Sequence, residues 1–229
     1  MIVVVDKRSE VAEAYKSTIS REGIAAISVD PEDFLAWFQS SDEIDLAAVE
    51  GFVLGEFDLR ESFTKAIKSR GSTPAIMLND VAALETTLKL FHAGADDVVR
   101  KPVHAREIIA RIFAIKRRNA HETAPVLMTD DLVIFGDGRD PFVNGKIMLL
   151  PRRERRILEY LASCRGRRIS RSQIFTAIYG IHDEGFEESV VESHISKLRK
   201  KLRHSLGYDP IDTQRFLGYQ LVVRTAKAA

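Results

Sequence analysis

The sequence predicts an α/β protein in which a five-stranded, doubly wound parallel sheet is followed by a smaller α+β domain. Residues 1–118 alternate short apolar runs with helical patterns, which is the order of parallel strands joined by crossover helices. Residues 119–125 are polar, lack periodicity and end in a proline, which is typical of a linker. Residues 126–229 then change to short strands, three helices and a last pair of strands.

Each strand of the first domain is a short apolar run, as expected where both faces of a sheet are covered. These runs predict strands at Ile2–Val5, Ile24–Val29, Leu46–Val49, Pro74–Leu78 and Asp97–Val99. Helical spacing occurs over Arg8–Glu22, from Pro31 onward, and over Asp58–Arg70, Ala82–Ala93 and His104–Arg118. In such a sheet the functional groups lie beyond the carboxyl ends of the strands.

The second domain begins with β structure. Short strands are predicted at Val126–Met128, Leu132–Phe135, Pro141–Val143 and Lys146–Leu149. Asn144-Gly145 between the last two strands is a strong hairpin-turn signal. Helices are predicted at Arg152–Cys164, Arg171–Tyr179 and Val190–Leu206, and a terminal hairpin includes residues 216–223. Ser170 with Gln173, and Ser189 with Glu192, have capping-box spacing. The order of sheet, three helices and hairpin is that of a winged helix.

The net charge of +1 conceals two domains of opposite sign. Residues 1–118 contain 16 Lys and Arg against 19 Asp and Glu, a charge of −3, and residues 119–229 contain 18 against 14, a charge of +4. Within residues 150–203 the count is 13 against 7, a charge of +6. Basic charge concentrated in one domain is what binding to a polyanion such as a nucleic acid requires.

Composition excludes several other classes of protein. A hydrophobic content of 45% is too high for a disordered chain, and there is no run of about 18 uncharged apolar residues to cross a membrane. The single cysteine, Cys164, excludes a disulfide framework and a cysteine-clustered metal site. The histidines lack metal-ligand spacing and no nucleophile–base pattern is apparent. We therefore expect a cytoplasmic protein that is not an enzyme and uses no cofactor or metal.

The helix predicted at Val190–Leu206 separates a core side from an exposed side. At 100° per residue, four apolar residues form one stripe: Val191, Ile195, Leu198 and Leu202. Small polar residues and cations occupy the other sides, namely Ser193, Ser196, Lys197, Lys200 and Arg203, flanked by His194, Arg199 and Lys201. Lysines on such a face can donate to guanine edges in a major groove, and flanking cations can bind phosphate. The alternative is an ordinary solvated helix face.

A combination of specific motifs runs through both domains. The second domain contains Leu150-Pro-Arg-Arg-Glu-Arg-Arg-Ile-Leu, Ile169-Ser-Arg-Ser-Gln-Ile, Val190-Val-Glu-Ser-His-Ile-Ser-Lys-Leu-Arg-Lys-Lys-Leu and Gly218-Tyr219. The first contains Val3-Val-Val-Asp6 and Gly94-Ala-Asp-Asp-Val-Val-Arg-Lys101-Pro102. With these motifs, nearly the whole chain resembles the response regulators of the OmpR/PhoB family. The resemblance implies a receiver domain over 1–118, a linker over 119–125 and a winged-helix DNA-binding domain over 126–229.

The resemblance also implies roles for individual residues in DNA binding. Lys197 stands where family members place a base-reading side chain, usually arginine, and lysine lacks the planar fork of arginine. Thr213 and Arg215 match the wing, whose arginine enters the minor groove. Three residues match phosphate-contacting positions, namely His194, Arg199 and Tyr219. Tyr179 stands where many relatives have a tryptophan that packs on the DNA backbone.

Two further segments differ from the family or extend its interface. Ser189 and Val190 replace a common Arg-Thr pair, so one phosphate anchor is expected to be missing. Residues 180–188 resemble the surface that touches RNA polymerase in the family. The acidic residues of that segment fit either a polymerase contact or a solvated loop.

The receiver departs from its family where phosphorylation would occur. Family receivers hold Mg²⁺ with an acidic pair, phosphorylate an aspartate, and read the phosphate with a Thr or Ser and a Lys. The matching positions here are Asp6, Lys7, Glu50, Asn79 and Lys101. Lys7 removes an oxygen ligand that Mg²⁺ needs, and Glu50 is one methylene longer than aspartate. We expect Glu50 to pair with Lys101, before a cis-proline bond, and so to mimic in part a phosphorylated aspartate, with Lys7 replacing the charge of the metal. The receiver would then be fixed in one state. The alternatives are an inert scaffold or a receiver with another input.

The resemblance further implies a homodimer. The family dimerises through its fourth helix, fifth strand and fifth helix, and this face carries charges of alternating sign around the apolar residues Leu90 and Ile112. The charged residues are Lys89, Asp96, Asp97, Glu107, Arg111 and Arg118. Such ion pairs set register more than affinity. A solvated helix surface is the alternative.

Together these features predict a sequence-specific transcription regulator that binds double-stranded DNA and works without phosphorylation. Overall, the chain resembles the orphan flagellar transcriptional regulators of alphaproteobacteria, which implies control of flagellar genes. One alternative is a protein-interaction module, in which a pseudo-receiver binds a partner and DNA binding is secondary. The other is a regulator that a kinase switches by phosphorylation.

Overall fold

The computed structural model describes residues 1–81, 83–122, 125–180 and 187–223, and the chain divides into two compact units. The main body of the first unit is Met1–Asn119, and that of the second begins at Ala120. Each unit has its own secondary structure and its own buried residues. Among the described residues, no helix is long and apolar enough to span a bilayer.

The first unit is a five-stranded parallel sheet with helices on both faces, in the order β2-β1-β3-β4-β5. Its strands are β1 (Ile2–Val5), β2 (Ala26–Val29), β3 (Gly51–Leu54), β4 (Ala75–Asn79) and β5 (Asp97–Arg100). Its helices are α1 (Ser9–Arg21), α2 (Pro31–Ser40), α3 (Glu43–Ala47), α4 (Arg60–Ser69), α5 (Leu84–His92) and α6 (Ala105–Glu122). The strand order confirms the predicted doubly wound fold.

The two faces of this sheet pack against different helices, because alternate strand residues point to opposite sides. Val3 and Val5 of β1 belong to the core that α2, α4 and α5 close. Ile2 and Val4 belong to the core that α1 and α6 close. Both faces of β1 are therefore buried, which places the residues after its carboxyl end at a fixed sheet edge.

The third strand lies later in the chain than the sequence analysis predicts. Asp42 accepts hydrogen bonds from the backbone nitrogens of Ile44 (2.7 Å) and Asp45 (2.9 Å), and this cap starts α3 where a strand was expected at Leu46–Val49. The next apolar run forms β3 instead, and its register aligns Ile2 with Gly51 and Val5 with Leu54. Glu50 consequently precedes β3 and lies at the amino edge of the sheet.

The second unit has the predicted winged-helix order. Its strands are β6 (Leu127–Met128), β7 (Leu132–Ile134), β8 (Phe142–Val143), β9 (Lys146–Ile147), β10 (Ile211–Gln214) and β11 (Gly218–Leu221), and its helices are α7 (Arg152–Ser163), α8 (Arg171–Tyr179) and α9 (Val190–Leu206). The strands β6 to β9 form one antiparallel sheet, and β10 and β11 form the wing hairpin. Positive φ angles at Asn144 and Gly145 confirm the predicted turn between β8 and β9.

The caps of α8 and α9 differ, although the sequence predicts the same motif for both. At α8, the nitrogen of Gln173 donates to Ser170 Oγ (3.2 Å) and the nitrogen of Ser170 donates to Gln173 Oε1 (2.9 Å), which is a capping box. Ser189 makes no cap hydrogen bond because its backbone is already helical, at φ −58° and ψ −25°. The core stripe of α9 is confirmed, since Val191, Ile195, Leu198 and Leu202 are all buried.

A glycine fixes the wing against the strand-like residue that precedes α8. Ile169 and Tyr219 exchange two backbone hydrogen bonds of 2.8 Å each. Gly218, at φ +108°, adjoins this pair, and a Cβ atom there would lie 2.0 Å from the carbonyl oxygen of Ile169. Only glycine therefore allows the wing to approach α8 this closely.

The helix α6 extends further than predicted. It continues to Glu122, so residues 119–122 of the predicted linker are helical. The sequence contains no Pro or Gly between Arg118 and Pro125 that would end the helix earlier. Positions 123 and 124 of the predicted linker lie outside the described residues.

Candidate functional site

The exposed side of α9, the start of α8 and the wing surround one open cleft in the second unit. The cleft has a volume of about 810 Å³. Five residues predicted to contact DNA line it, namely Ser196, Arg199, Thr213, Arg215 and Tyr219. The fold thus brings together residues that are separated by up to 23 positions in the chain.

Three predicted cations on this surface are available to a ligand. Lys197, Lys200 and Arg215 are exposed, and within the described part of the chain none of them forms a hydrogen bond or ion pair. Ser193 and Ser196 lie on the same side of α9 and are also exposed. Their short side chains leave room for another molecule to approach the helix backbone between the lysines.

Two predicted arginines of α9 are instead paired within the protein. Arg199 donates to Asp209 Oδ2 (2.8 Å) and to Thr213 Oγ1 (3.2 Å), and Arg203 donates to the same Asp209 oxygen (2.6 Å). Burial raises the pKa of Asp209, but the hydrogen bonds from Arg199 and Arg203 outweigh it and lower the pKa overall. Asp209 therefore connects the end of α9 to the first wing strand, and both arginines position the wing.

Lys201, His194 and Tyr179 also have structural surroundings that their sequence positions do not reveal. Lys201 donates to Glu154 Oε2 (2.7 Å), a buried carboxylate on α7. His194 is half-buried, and burial followed by the charges of Arg153 and Lys197 lowers its pKa. Tyr179 is the last residue of α8, and its contact with the DNA backbone stays a prediction.

The first unit closes the carboxyl edge of its sheet with a cluster of four charged residues. Asp6, which follows β1, is almost fully buried. Its Oδ1 accepts from the backbone nitrogen (3.0 Å) and Nε (3.3 Å) of Arg8, and its Oδ2 accepts from Lys101 Nζ (3.0 Å). Asp80 lies 2.8 Å from Arg8 and 3.0 Å from Lys101, so both cations bridge both carboxylates.

Glu56 is the acidic residue at the carboxyl end of β3. Its Oε1 accepts from the backbone nitrogen of Asp80 (3.2 Å), and its Oε2 lies 3.4 Å from Arg60. The predicted pairing of Glu50 with Lys101 is wrong. Glu50 is at the opposite edge of the sheet, where its Oε1 lies 3.6 Å from the amino group of Met1.

Lys7 does not take the position of the metal charge. Its side chain is exposed, while Arg8 contacts Asp6 and Asp80 in the cluster. Asn79 is at the predicted position, the end of β4, and is buried. Its side-chain amide has no hydrogen-bond partner among the described residues. The predicted cis peptide bond between Lys101 and Pro102 is present.

The residues at this edge do not fit Mg²⁺. The ion prefers several oxygen ligands in octahedral geometry, whereas both oxygens of Asp6 are already hydrogen-bonded to cations. The carboxylate also packs directly on Gly55, where a Cβ would lie 2.1 Å from Asp6 Oδ2. Among the described residues, no group of three potential ligands for a metal ion is found here or elsewhere.

Sequence reasoning missed Arg8, Glu56 and Asp80. Arg8 was overlooked because the second acidic position of the family falls at Lys7. Glu56 was overlooked because the third strand was placed five residues too early, at Leu46–Val49 instead of Gly51–Leu54. The apolar run at residues 51–54, followed by glycine and then glutamate, is the signal that identifies the strand end.

The exposed apolar residues of the predicted dimer face are not the two that the sequence analysis names. Leu90 of α5 and Ile112 of α6 are fully buried, each in one of the two cores, so neither can contact a partner. The exposed apolar residues of α5 are Leu84, Leu88 and Phe91. Their spacing of four and three residues places them on one side of the helix.

The predicted charges of this face divide into three groups. Arg111 pairs with Asp97 (2.7 Å) and Glu107 (2.7 Å) on the surface of the unit. Asp96 is internal, because its Oδ2 accepts from Lys68 Nζ (2.5 Å) and from the backbone nitrogen of Ala75 (2.7 Å). Lys89 and Arg118 are exposed.

Comparison with known proteins agrees with this architecture. Residues 145–221 match the family model described as the C-terminal domain of transcriptional regulatory proteins. The chain is 54% identical over 222 residues to the flagellar transcriptional regulator FtcR of Brucella abortus (strain 2308), which covers 96% of this chain and 98% of that protein. It is 36% identical over 151 residues to the cell cycle transcriptional regulator CtrA of Caulobacter vibrioides (strain NA1000 / CB15N), covering 66% and 65%.

A solved structure with the same two-domain span is that of the response regulator DrrB, an OmpR/PhoB homologue of Thermotoga maritima. It is 27% identical and covers 97% of this chain and 98% of its own, with a TM-score of 0.41. The family model and the 54% identity to FtcR show that the chain is a transcriptional regulator with a DNA-binding domain of the OmpR/PhoB type. It belongs to the family that includes the flagellar transcriptional regulators FtcR of Brucella.

Replacement of Asp6 by asparagine tests the charge cluster. Burial raises the pKa of Asp6, but hydrogen bonds from Arg8 and Lys101 lower it below its usual value. A lowered pKa stabilises the fold above about pH 4, and this contribution is lost as the pH falls. We expect Asp6→Asn to reduce the free energy of unfolding by about 2–4 kcal/mol at pH 7, and by much less at pH 3.

Urea unfolding followed by tryptophan fluorescence measures this effect, because the single tryptophan, Trp37, is in the first unit. Asp58→Asn is the matched control, since Asp58 is an exposed carboxylate of the same unit. An equal loss of stability at both pH values would contradict an ionised Asp6 in the cluster.

Proposed function

We propose that this protein binds double-stranded DNA through α9 and the wing, and that it regulates transcription without phosphorylation. One observation carries the DNA-binding surface, namely the three exposed cations Lys197, Lys200 and Arg215, which have no ion-pair partner in the described residues. They surround short serine side chains on α9. This arrangement fits a helix in the major groove and a wing arginine at the neighbouring minor groove.

We assign different tasks to the cations of this domain. Lys197 is proposed to donate to base edges, and Lys200 to bind phosphate, since both are exposed on α9. Arg199 and Arg203 are proposed to hold the wing through Asp209, and Lys201 to hold α7 through Glu154. Removing one of the latter three would change the position of the reading elements more than the number of phosphate contacts.

Phosphorylation independence is proposed from the cluster around Asp6. Phosphoryl transfer to a carboxylate depends on a metal ion that neutralises the transferred charge. Here Arg8 and Lys101 neutralise Asp6 and Asp80, and Glu56 contacts the backbone of Asp80. The positions that would bind metal and phosphate are thus already occupied by internal ion pairs. A kinase-driven switch would first have to break these contacts.

We further propose a homodimer that forms through α5 and the surface of α6. Leu84, Leu88 and Phe91 would form the apolar centre, and the network of Arg111, Asp97 and Glu107 would form a polar rim. The proposed domain limits remain 1–118 and 126–229. A dimer would position two α9 helices on half-sites about one helical turn apart.

The regulated genes and the cellular partners are also proposals. Identity of 54% over almost all of a flagellar transcriptional regulator supports control of flagellar genes, in the cytoplasm. The predicted contact with RNA polymerase falls on residues 180–188, of which 181–186 lie outside the described residues. The contact therefore stays a prediction from family resemblance.

A salt titration tests the DNA-binding surface. Each lysine that neutralises a phosphate contributes about 0.9 to the slope of log K against log salt. We expect Lys200→Ala to reduce this slope by about 1 on a random-sequence duplex, and Lys197→Ala to relax the base preference obtained by selection from a random pool. Lys65→Ala on α4, an exposed lysine of the first unit, should leave both unchanged.

Binding that is absent or insensitive to salt would instead favour a protein-interaction module. The same selection, performed with unphosphorylated protein, also tests whether DNA is recognised without activation.

Incubation with phosphoramidate and Mg²⁺, followed by intact mass measurement, tests phosphorylation independence. We expect no stable phosphoryl group on the natural protein, because Arg8 and Lys101 occupy the oxygens of Asp6. The triple variant Lys7→Asp, Arg8→Ala, Glu56→Asp restores an acidic pocket and should accept phosphate. Stable phosphorylation of the natural protein, together with tighter DNA binding, would contradict the proposal.

Sedimentation velocity tests the dimer face. A charge placed in an apolar interface centre costs about 2 kcal/mol or more, so Leu88→Asp should raise the dimer dissociation constant at least roughly 30-fold. Leu35→Asp on α2 is the control, because Leu35 is a comparably exposed leucine outside this surface. An unchanged dissociation constant for Leu88→Asp would exclude α5 from the interface.

A further inference from the structure

The tip of the wing carries an unusual aromatic residue. Phe216 has 90% of its surface exposed, and the adjacent Leu217 has 55% exposed. No other large apolar side chain in the described part of the chain is as exposed as Phe216. A phenylalanine ring that stays in water does not gain the favourable free energy of apolar burial. The residue therefore contributes nothing to the core of the second unit.

The backbone at Phe216 is also in an unfavourable conformation. Its φ angle is +67°, a region that glycine adopts freely and bulky residues rarely adopt. The turn is closed by the nitrogen of Leu217, which donates to the carbonyl oxygen of Gln214 (3.1 Å). This position would accommodate glycine without strain. Strained residues that persist in this way commonly mark functional sites.

The ring of Phe216 is paired with an exposed cation of the wing, Arg215. The guanidinium carbon of Arg215 lies 4.8 Å from the ring centroid, which is within cation–π distance. Both residues line the cleft formed with α9 and α8. The wing tip therefore presents a positive charge and a flat apolar surface next to each other. The ion pairs of Asp209 with Arg199 and Arg203 hold the first wing strand against α9.

A ligand for this tip must be anionic and must offer an apolar face for the ring. The minor groove of DNA provides both, because phosphates line it and the faces of the bases become accessible when a base step opens. The tip is continuous with the surface proposed to bind DNA. The minor groove would therefore match both the charge of Arg215 and the apolar ring of Phe216.

We propose that Phe216 acts as an apolar wedge in the minor groove, where it partly unstacks one base step while Arg215 holds the groove. This inference rests on the proposed binding of DNA by α9 and the wing. Opening a step kinks the duplex toward the major groove, and flexible pyrimidine–purine steps open most easily. Phe216 would therefore select TA and CA/TG steps that no side chain reads by hydrogen bonding.

The variant Phe216→Gly provides a direct test. Glycine suits the positive φ angle, so this variant should fold at least as stably as the natural protein. Leu59→Gly is the matched control, since Leu59 is also exposed (71%) and at positive φ (64°), but in the first unit. Both variants gain the same backbone relief, and only one loses a side chain from the wing.

Three measurements on the full-length protein distinguish the outcomes. First, duplexes are selected from a random pool with the natural protein. On the best of these, affinity, bend angle by end-to-end energy transfer, and fluorescence of 2-aminopurine placed at the step under the wing are measured. We expect Phe216→Gly to bind roughly 5- to 30-fold more weakly, to bend the duplex less, and to lose the rise in 2-aminopurine fluorescence. Leu59→Gly should match the natural protein in all three.

Three possible results distinguish the failure of the wedge from the failure of the proposed DNA binding. If the natural protein selects and binds DNA but Phe216→Gly keeps the same affinity, bend angle and 2-aminopurine fluorescence, the wedge is overturned while DNA binding stands. If Phe216→Gly loses only transcriptional activity and keeps all three DNA measurements, the wing tip contacts a protein and the wedge is equally overturned. If the natural protein selects no DNA, the proposed function itself fails.

Discussion

The buried carboxylate of Asp6 is the constraint on which the first unit depends. A carboxylate that is removed from water must be paired, since an unpaired buried charge is strongly destabilising. Here the partners come from two places, Arg8 beyond β1 and Lys101 beyond β5, and the backbone nitrogen of Glu56 adds a contact from β3. One side chain thus ties together three strand ends. The cations of this chain thus close the carboxyl edge of the sheet.

The second unit distributes its charges differently. Its excess of basic residues suggests a uniformly positive surface, but three of these cations form ion pairs with acidic residues. Asp209 pairs with Arg199 and Arg203, and Glu154 pairs with Lys201. These pairs are partly exposed, so each contributes little stability by itself. Their effect is geometric, because they fix the wing and α7 relative to α9. Among the described residues, Lys197, Lys200 and Arg215 form no hydrogen bond or ion pair and are exposed.

The sequence predicts a strand or helix correctly where its apolar pattern fits only one placement in the core. The continuous apolar run of β1 and the four-residue apolar stripe of α9 match the structure. All of these residues are buried, and no second apolar run next to either element competes for the same place in the core. The third strand was misplaced because two apolar runs follow each other, and the cap at Asp42 that selects between them acts through hydrogen bonds. That error moved the acidic site from Glu56 to Glu50. The pairing of Arg199 with Asp209 was equally invisible, since it depends on how the wing folds back on α9.

The two units together indicate where regulation can enter. In the first unit, the charges around Asp6 satisfy one another, which leaves no electrostatic requirement for an added phosphate or metal. In the second unit, Lys197, Lys200 and Arg215 have no ion-pair partner among the described residues, so these exposed cations are available to a polyanion. The described part of the first unit still exposes the apolar residues Leu84, Leu88 and Phe91 of α5. If a second copy of the chain covers them, occupancy of paired half-sites depends on protein concentration through mass action. Under the proposed independence from phosphorylation, control of synthesis and turnover would then set the activity.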